Sequence, residues 1–124
     1  MEIGAGGTAN INGIVGGSAP MASITTTGSG TLKVGKNITT TGSTQTYDTP
    51  VVLTADTTLT DTGNIVFNDT VNTDGFGNWN LTVNADGQTQ FNGIVGASNP
   101  LGNLTTSAAG TTSITTTTTN SAIQ

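Results

Sequence analysis

Short runs of alternating apolar and polar residues recur along the chain, each ending in small or turn-forming residues. Ile24-Thr25-Thr26-Thr27 leads into Gly28-Ser29-Gly30, and Leu81-Thr82-Val83-Asn84 leads into Ala85-Asp86-Gly87. Leu104-Thr105-Thr106-Ser107 leads in the same way into Ala108-Ala109-Gly110, and Val51-Val52-Leu53-Thr54-Ala55-Asp56 fits the frame without a final glycine. A period of two marks a half-buried strand, and Gly, Ser, Asn and Asp supply turn chemistry. Helix is disfavoured throughout, because β-branched and turn-forming side chains lose in helices what they gain in strands and bends. The pattern predicts an all-β chain.

A longer period overlies the short one. Asn12-Gly13-Ile14-Val15-Gly16 returns 80 residues later as Asn92-Gly93-Ile94-Val95-Gly96. At that offset residues 1–34 align with 81–114 without a gap, and 13 positions are identical. Unlike pairs keep their character, as in Ile3/Val83, Ile11/Phe91, Ile24/Leu104 and Val34/Ile114. Cutting after each turn gives segments 8–30, 31–56, 57–87, 88–110 and an incomplete 111–124. Such segments cannot each bury an apolar face alone, but stacked coils can bury a continuous column. The chain therefore reads as one β-solenoid unit over residues 1–124, with about five coils. Stacking is expected to place Ile24, Val51, Leu81 and Leu104 in one inward column, and Thr26, Leu53, Val83 and Thr106 in the next. A neighbouring column is expected from Ile11, Val34, Leu59, Phe91 and Ile114. The rival fold, an antiparallel sandwich, lacks support, since no Asn-Gly hairpin separates two alternating runs. Asn12-Gly13 and Asn92-Gly93 are read as lying inside strands Ile11–Val15 and Phe91–Val95.

Composition narrows the chemistry. Thr, Gly, Asn and Ser number 29, 18, 13 and 8 of 124 residues, and charged residues are 7%. His, Cys and Arg are absent, so disulfides, thiolate or imidazole metal sites and Cys–His or Ser–His nucleophile pairs are excluded within this chain. A net charge of −5, with Lys33 and Lys36 as the only basic side chains, offers nucleic-acid phosphates nothing to bind. No apolar run is long enough to span a membrane as a helix. The first residues carry neither the basic nor the apolar region of a signal peptide. Disorder is rejected, because it pairs low hydrophobicity with high net charge and this chain lacks the charge.

The run Thr39-Thr40-Thr41-Gly42-Ser43-Thr44-Gln45-Thr46-Tyr47-Asp48-Thr49-Pro50-Val51-Val52-Leu53-Thr54-Ala55-Asp56-Thr57-Thr58-Leu59-Thr60 resembles repeats of very large bacterial surface proteins. So does Phe91-Asn92-Gly93-Ile94-Val95-Gly96. These are filamentous-hemagglutinin-like adhesins of the two-partner-secretion type and related outer-membrane repeat proteins. The resemblance covers nearly the whole chain. It implies a right-handed parallel β-helix, export to the bacterial cell surface, and a role in adhesion or as an adhesin stalk. It carries no catalytic or ligand residues onto this sequence. Asn99-Pro100 is not a secretion motif, since its counterpart Ala19-Pro20 shows it to be the repeat's own turn. Met1 enters the register at the position of Leu81, and Asn120–Gln124 resembles Thr41–Gln45 after a one-residue deletion. No capping repeat is visible, so a piece of a longer array, or a subunit whose neighbours continue the stack, is expected.

The acids are Glu2, Asp48, Asp56, Asp61, Asp69, Asp74 and Asp86. A glycosidase pair among them would lack the basic partners such sites use, so they read as solvated turns. Asp56 and Asp86 occupy the same turn position in the aligned segments. The Gly/Asp spacing of calcium-binding β-rolls is missing, and no metal or cofactor is expected. Four Asn-X-Thr sequons, at Asn37, Asn68, Asn80 and Asn103, are what thirteen asparagines in so Thr-rich a chain give by chance. Trp79 shares a strand face with Leu81 and Val83 and reads as core. Phe76 lies in an insertion, Asp74-Gly75-Phe76-Gly77-Asn78, and is the candidate exposed contact. Lys33 and Lys36 read as solubilising charges. Ice binding would need regular Thr-X-Thr pairs on one face, and Val52 and Glu2 interrupt the expected outer column. The expected function is a non-catalytic solenoid segment of a secreted or cell-surface bacterial adhesin. The alternative is a self-assembling extracellular fibre subunit, with ice-binding or carbohydrate-binding solenoids behind it. Expected partners are neighbouring repeats, identical subunits stacked end to end, or cell-surface glycans.

Overall fold

A computed structural model of the chain describes residues 1–107, 109–115 and 122–123. The chain winds as a parallel β-solenoid of about five turns, and no helix occurs among the described residues. Each full coil visits three faces in turn. The first coil carries β1 (Glu2–Gly4) and β2 (Thr8–Ile11), with Val15 bridging to the third face. The second holds β3 (Ile24–Thr27), β4 (Thr31–Val34) and β5 (Ile38–Thr39), and the third holds β6 (Thr44–Tyr47), β7 (Val51–Leu53) and β8 (Thr57–Asp61). The fourth comprises β9 (Asn64–Phe67), β10 (Val71–Thr73) and β11 (Leu81–Ala85). The fifth has β12 (Gln88–Phe91), a bridge at Val95 and β13 (Asn103–Thr106); β14 (Thr111–Ile114) and β15 (Ala122–Ile123) extend the first and third faces.

Every strand pairs in parallel with the same face of a neighbouring coil, and inner strands with the coils on both sides, so residues stack column by column. The first face stacks Ile3, Thr26, Tyr47, Phe67, Phe91 and Ile114, at steps of 20 to 24 residues. Beside it run Ile24, Gln45, Ile65, Thr89 and Thr112. The second face stacks Ile11, Val34, Leu53 and Thr73 beside Ala9, Leu32, Val51 and Val71. The third stacks Ile38, Leu59, Val83 and Thr106, with Leu81 between Thr57 and Leu104.

Part of the expected stacking must be redrawn. Leu81 does lie beside Leu104, Val83 beside Thr106, Ile11 beside Val34, and Phe91 beside Ile114. Ile24, Val51 and Leu81, however, belong to three different faces, as do Thr26, Leu53 and Val83. Leu59 stacks with Ile38 and Val83, and the pair Ile11–Val34 belongs to the second face rather than with Phe91–Ile114 on the first. The reason is local. Each face offers the same alternating strand and small-residue corner, so the pattern recurs about three times per coil. Segments 31–56 and 57–87 accordingly each hold four strands, more than one coil. The 80-residue register is also out of phase with the coils. Four coils carry Ile3 to Phe91, whereas 80 residues carry it only to Val83, one face earlier. Asn12-Gly13-Ile14-Val15-Gly16 and its copy are corners between faces, not strand interiors. Both final glycines have positive φ, 71° and 73°, and a Cβ on Gly16 would collide with the Thr39 carbonyl.

The interior is mostly aliphatic, with Tyr47, Phe67 and Phe91 as a continuous stack. Ring centroids lie 5.0 Å and 4.8 Å apart and the planes are within 13°, which matches the roughly 4.7–4.9 Å between paired strands. Polar groups inside the column are hydrogen-bonded in sets. Tyr47 Oη donates to Gln45 Oε1 (2.7 Å), and Gln45 Nε2 donates to Thr40 Oγ1 (2.9 Å) and the Thr60 carbonyl (2.7 Å). Thr49 Oγ1 donates to Thr26 Oγ1 (3.0 Å). Burial, and secondarily the negative charge of Asp61, pushes the Tyr47 phenol far above its ordinary range, so it stays a donor. Asp61 Oδ1 accepts from the Gly63 amide (3.1 Å), while its buried Oδ2 has no hydrogen-bond partner.

Leu81 is fully buried between Thr57 and Leu104, whereas Ile114 is only partly buried. Leu81→Ala should cost about 2–5 kcal/mol and Ile114→Ala clearly less, measured by denaturant unfolding. Phe67→Ala, which opens the middle of the ring stack, should cost about 3–5 kcal/mol.

Candidate functional site

The corners between faces are built by side-chain ladders. Where the first face turns to the second, Asn68 Nδ2 donates to Asp48 Oδ1 (2.6 Å), Asn92 Nδ2 to Asn68 Oδ1 (2.7 Å), and Thr115 Oγ1 to Asn92 Oδ1 (2.8 Å). Where the second turns to the third, Asn37 Oδ1 accepts from the Thr58 amide (2.9 Å). Asp56 Oδ1 accepts from the backbone amide (2.8 Å) and Nδ2 (3.1 Å) of Asn80, and Asn103 Nδ2 donates to Asn80 Oδ1 (3.1 Å). Asp56, Asp61, Asp69 and Asp74 all accept backbone amides. The acids thus serve as corner acceptors, and Asp56 and Asp86, expected at one turn position, follow β7 and β11 on different faces.

The second-to-third corner departs from regularity in the fourth coil. Three residues, 35–37 and 54–56, close it in the second and third coils, but seven, 74–80, join β10 to β11. This insertion is organised by Asp74. Its Oδ1 accepts from the Phe76 amide (3.0 Å) and from Trp79 Nε1 (2.9 Å), with Gly75 at φ 82° between them. The indole hydrogen bond is the main reason the Asp74 carboxyl sits below its ordinary range; partial desolvation opposes it, and the Phe76 amide adds to the lowering. Gly77 lies so close to the six-membered ring of Trp79 that a Cβ there would come within 2.7 Å of it. The indole is thus both hydrogen-bonded and closely packed by its own loop.

Phe76 projects from the tip of this loop at 93% exposure. Trp79, expected in the core on the face of Leu81 and Val83, precedes β11 and is only partly buried. It packs against the core on one side and lines a groove of about 400 Å³ on the other. The groove runs along the corner over four coils and is lined by Ile14, Lys36, Asn37, Ala55, Asp56 and Trp79. Ile14, expected within a strand, is 66% exposed. The corner residues Lys36, Asn37 and Asp56 were not legible as a group, because the Lys36–Asn37 pair and Asp56 lie in successive coils with no motif linking them. The insertion Asp74–Asn78, next to the chain's single Trp, was the available signal.

The outer strand positions also differ from expectation. Glu2 stands beside Thr25 on the first face, and Val52 beside Lys33 on the second. The outer third face is interrupted by neither. It carries Thr58, Thr82 and Thr105 in one column, and Thr39, Thr60 and Asn84 in the next. Thr116–Thr119 and the Asn120–Gln124 resemblance lie outside the described residues, apart from the backbone of Ala122 and Ile123. Comparison of the chain with protein-family models, with curated proteins and with solved structures yields no match.

Asp74→Ala removes both loop acceptor bonds, so Trp79 emission should shift to the red while the unfolding midpoint changes little. Because the folded carboxyl titrates below the ordinary aspartate value of about 3.9, its contribution is complete above that value. It is lost as pH falls through the lower folded value. Trp79 emission in the wild type should therefore hold constant from neutral pH to about pH 4 and move only below it.

Proposed function

We propose that the chain is a non-catalytic structural segment of a secreted, cell-surface bacterial adhesin, displaying the 74–80 loop and its groove from a rigid rod. The observation that carries this reading is the placement of Phe76 and Trp79. The second and third coils turn this corner with three residues, whereas the fourth spends seven and presents two aromatic side chains from them. Loops set on a rigid scaffold are where contact residues concentrate. The resemblance of Thr39–Thr60 and Phe91–Gly96 to adhesin repeats supports the same reading. Hydrogen-bonding of the acids into corners, in a chain without His or Arg, argues for a scaffold rather than a hydrolase. The partners are neighbouring repeats and cell-surface glycans.

Antibodies raised against the purified chain should label intact, unpermeabilised cells of the source bacterium, and the chain should compete with those cells for their target surface. Label appearing only after lysis overturns the reading. Long filaments of the purified chain in negative stain would favour the fibre subunit instead.

The uninterrupted hydroxyl and amide columns of the outer third face favour one second reading, an ice-binding face. Thermal hysteresis that disappears in Thr82→Tyr would support it, and absence of hysteresis in the wild type would end it.

A further inference from the structure

The most exposed large apolar side chain and the groove lie on the same corner. Phe76 is 93% exposed, and its neighbour Gly77 touches the ring of Trp79, which forms the groove wall. An exposed aromatic knob beside an apolar-walled socket is self-complementary under a two-fold axis, where the same patch serves both subunits. Charge agrees with such a pairing. The groove holds one lysine, Lys36, and one acid, Asp56; Asp56 is taken up by the Asn80 amide and Nδ2 (2.8 and 3.1 Å), which leaves Lys36 as the charge that meets a partner in this groove. The loop that would enter it carries Asp74, whose low carboxyl value keeps it anionic at neutral pH.

We infer that the 74–80 loop is a lateral self-association site, in which Phe76 of each copy enters the Trp79 groove of a second copy and Asp74 faces the second copy's Lys36. The partner is another copy of this chain, side by side, with its coil ends left free. Each knob buries apolar area on the order of 150–250 Å², below the roughly 800 Å² per partner of a stable interface. The association is therefore weak and reversible. On the cell-surface function proposed above, many copies held close would raise the effective concentration.

The test uses the purified 124-residue chain, with Trp79 as its single tryptophan reporter. Sedimentation should show mass rising toward a dimer with concentration, and Trp79 emission should shift to the blue over the same range. Phe76→Ser should weaken both by at least about tenfold, as expected for loss of a central aromatic anchor. Its circular dichroism and unfolding midpoint should not change, since Phe76 packs against nothing in the monomer. Lys36→Glu should weaken association with the fold equally intact. A wild type that stays monomeric to its highest soluble concentration overturns the inference, as does a dimer that persists undiminished in Phe76→Ser. An emission shift on adding soluble monosaccharides, without self-association, would assign the groove to a saccharide instead.

Discussion

Hydrogen bonding between successive coils is the constraint on which everything else depends. The backbone donors and acceptors of each inner strand are met by the same face of the coil above and below, and strands so paired sit about 4.8 Å apart. That spacing forces each side chain onto its counterpart one coil away. Inside, like stacks on like, as in Tyr47, Phe67 and Phe91. At the corners, amides and carboxylates meet their counterparts and form ladders, as in Asp48, Asn68 and Asn92. A chain with so few large apolar residues can still bury a continuous core, because inward residues such as Val34, Leu59 and Phe67 stack on apolar counterparts in both neighbouring coils.

The same constraint governs how polar groups are buried. A threonine in an inward column has a hydroxyl to satisfy, and only neighbours in its own or an adjacent column are within reach. Thr26 finds Thr49, and Gln45 links Tyr47, Thr40 and the Thr60 carbonyl. Unpaired buried polar groups cost free energy comparable to a lost hydrogen bond, so these sets fix which residues can share a layer. Asp61 is the exception, with one carboxylate oxygen buried and unpartnered.

Variation is permitted where the coil-to-coil ladder is not interrupted, and corners meet that condition. The 74–80 insertion leaves β10 paired with β7, and β11 paired with β8 and β13, while presenting Phe76 and Trp79 outside the stack. Backbone regularity and a distinct surface feature coexist because the loop satisfies its own donors through Asp74. The groove lies along the same corner, from Ile14 in the first coil to Trp79 in the fourth.

Strand character, corner chemistry, the solenoid class and the exclusion of thiol and imidazole chemistry were all legible in the sequence, because they depend on residue type and on spacing of a few positions. The exposure of Phe76 was legible for the same reason, since it stands in an insertion rich in glycine and polar residues. The face of each strand was not. Ile24, Val51 and Leu81 share one local pattern yet lie on three faces, since a motif that repeats at every face carries no record of which face it occupies. Nor was the phase of the 80-residue repeat, which sets Ile3 against Val83 although they occupy different faces. The groove too belonged to the tertiary structure, for Ile14, Lys36, Asp56 and Trp79 come together only when four coils are stacked. Local pattern specifies strands and corners; only the closed length of each coil, summed over its three corners, decides which residues meet.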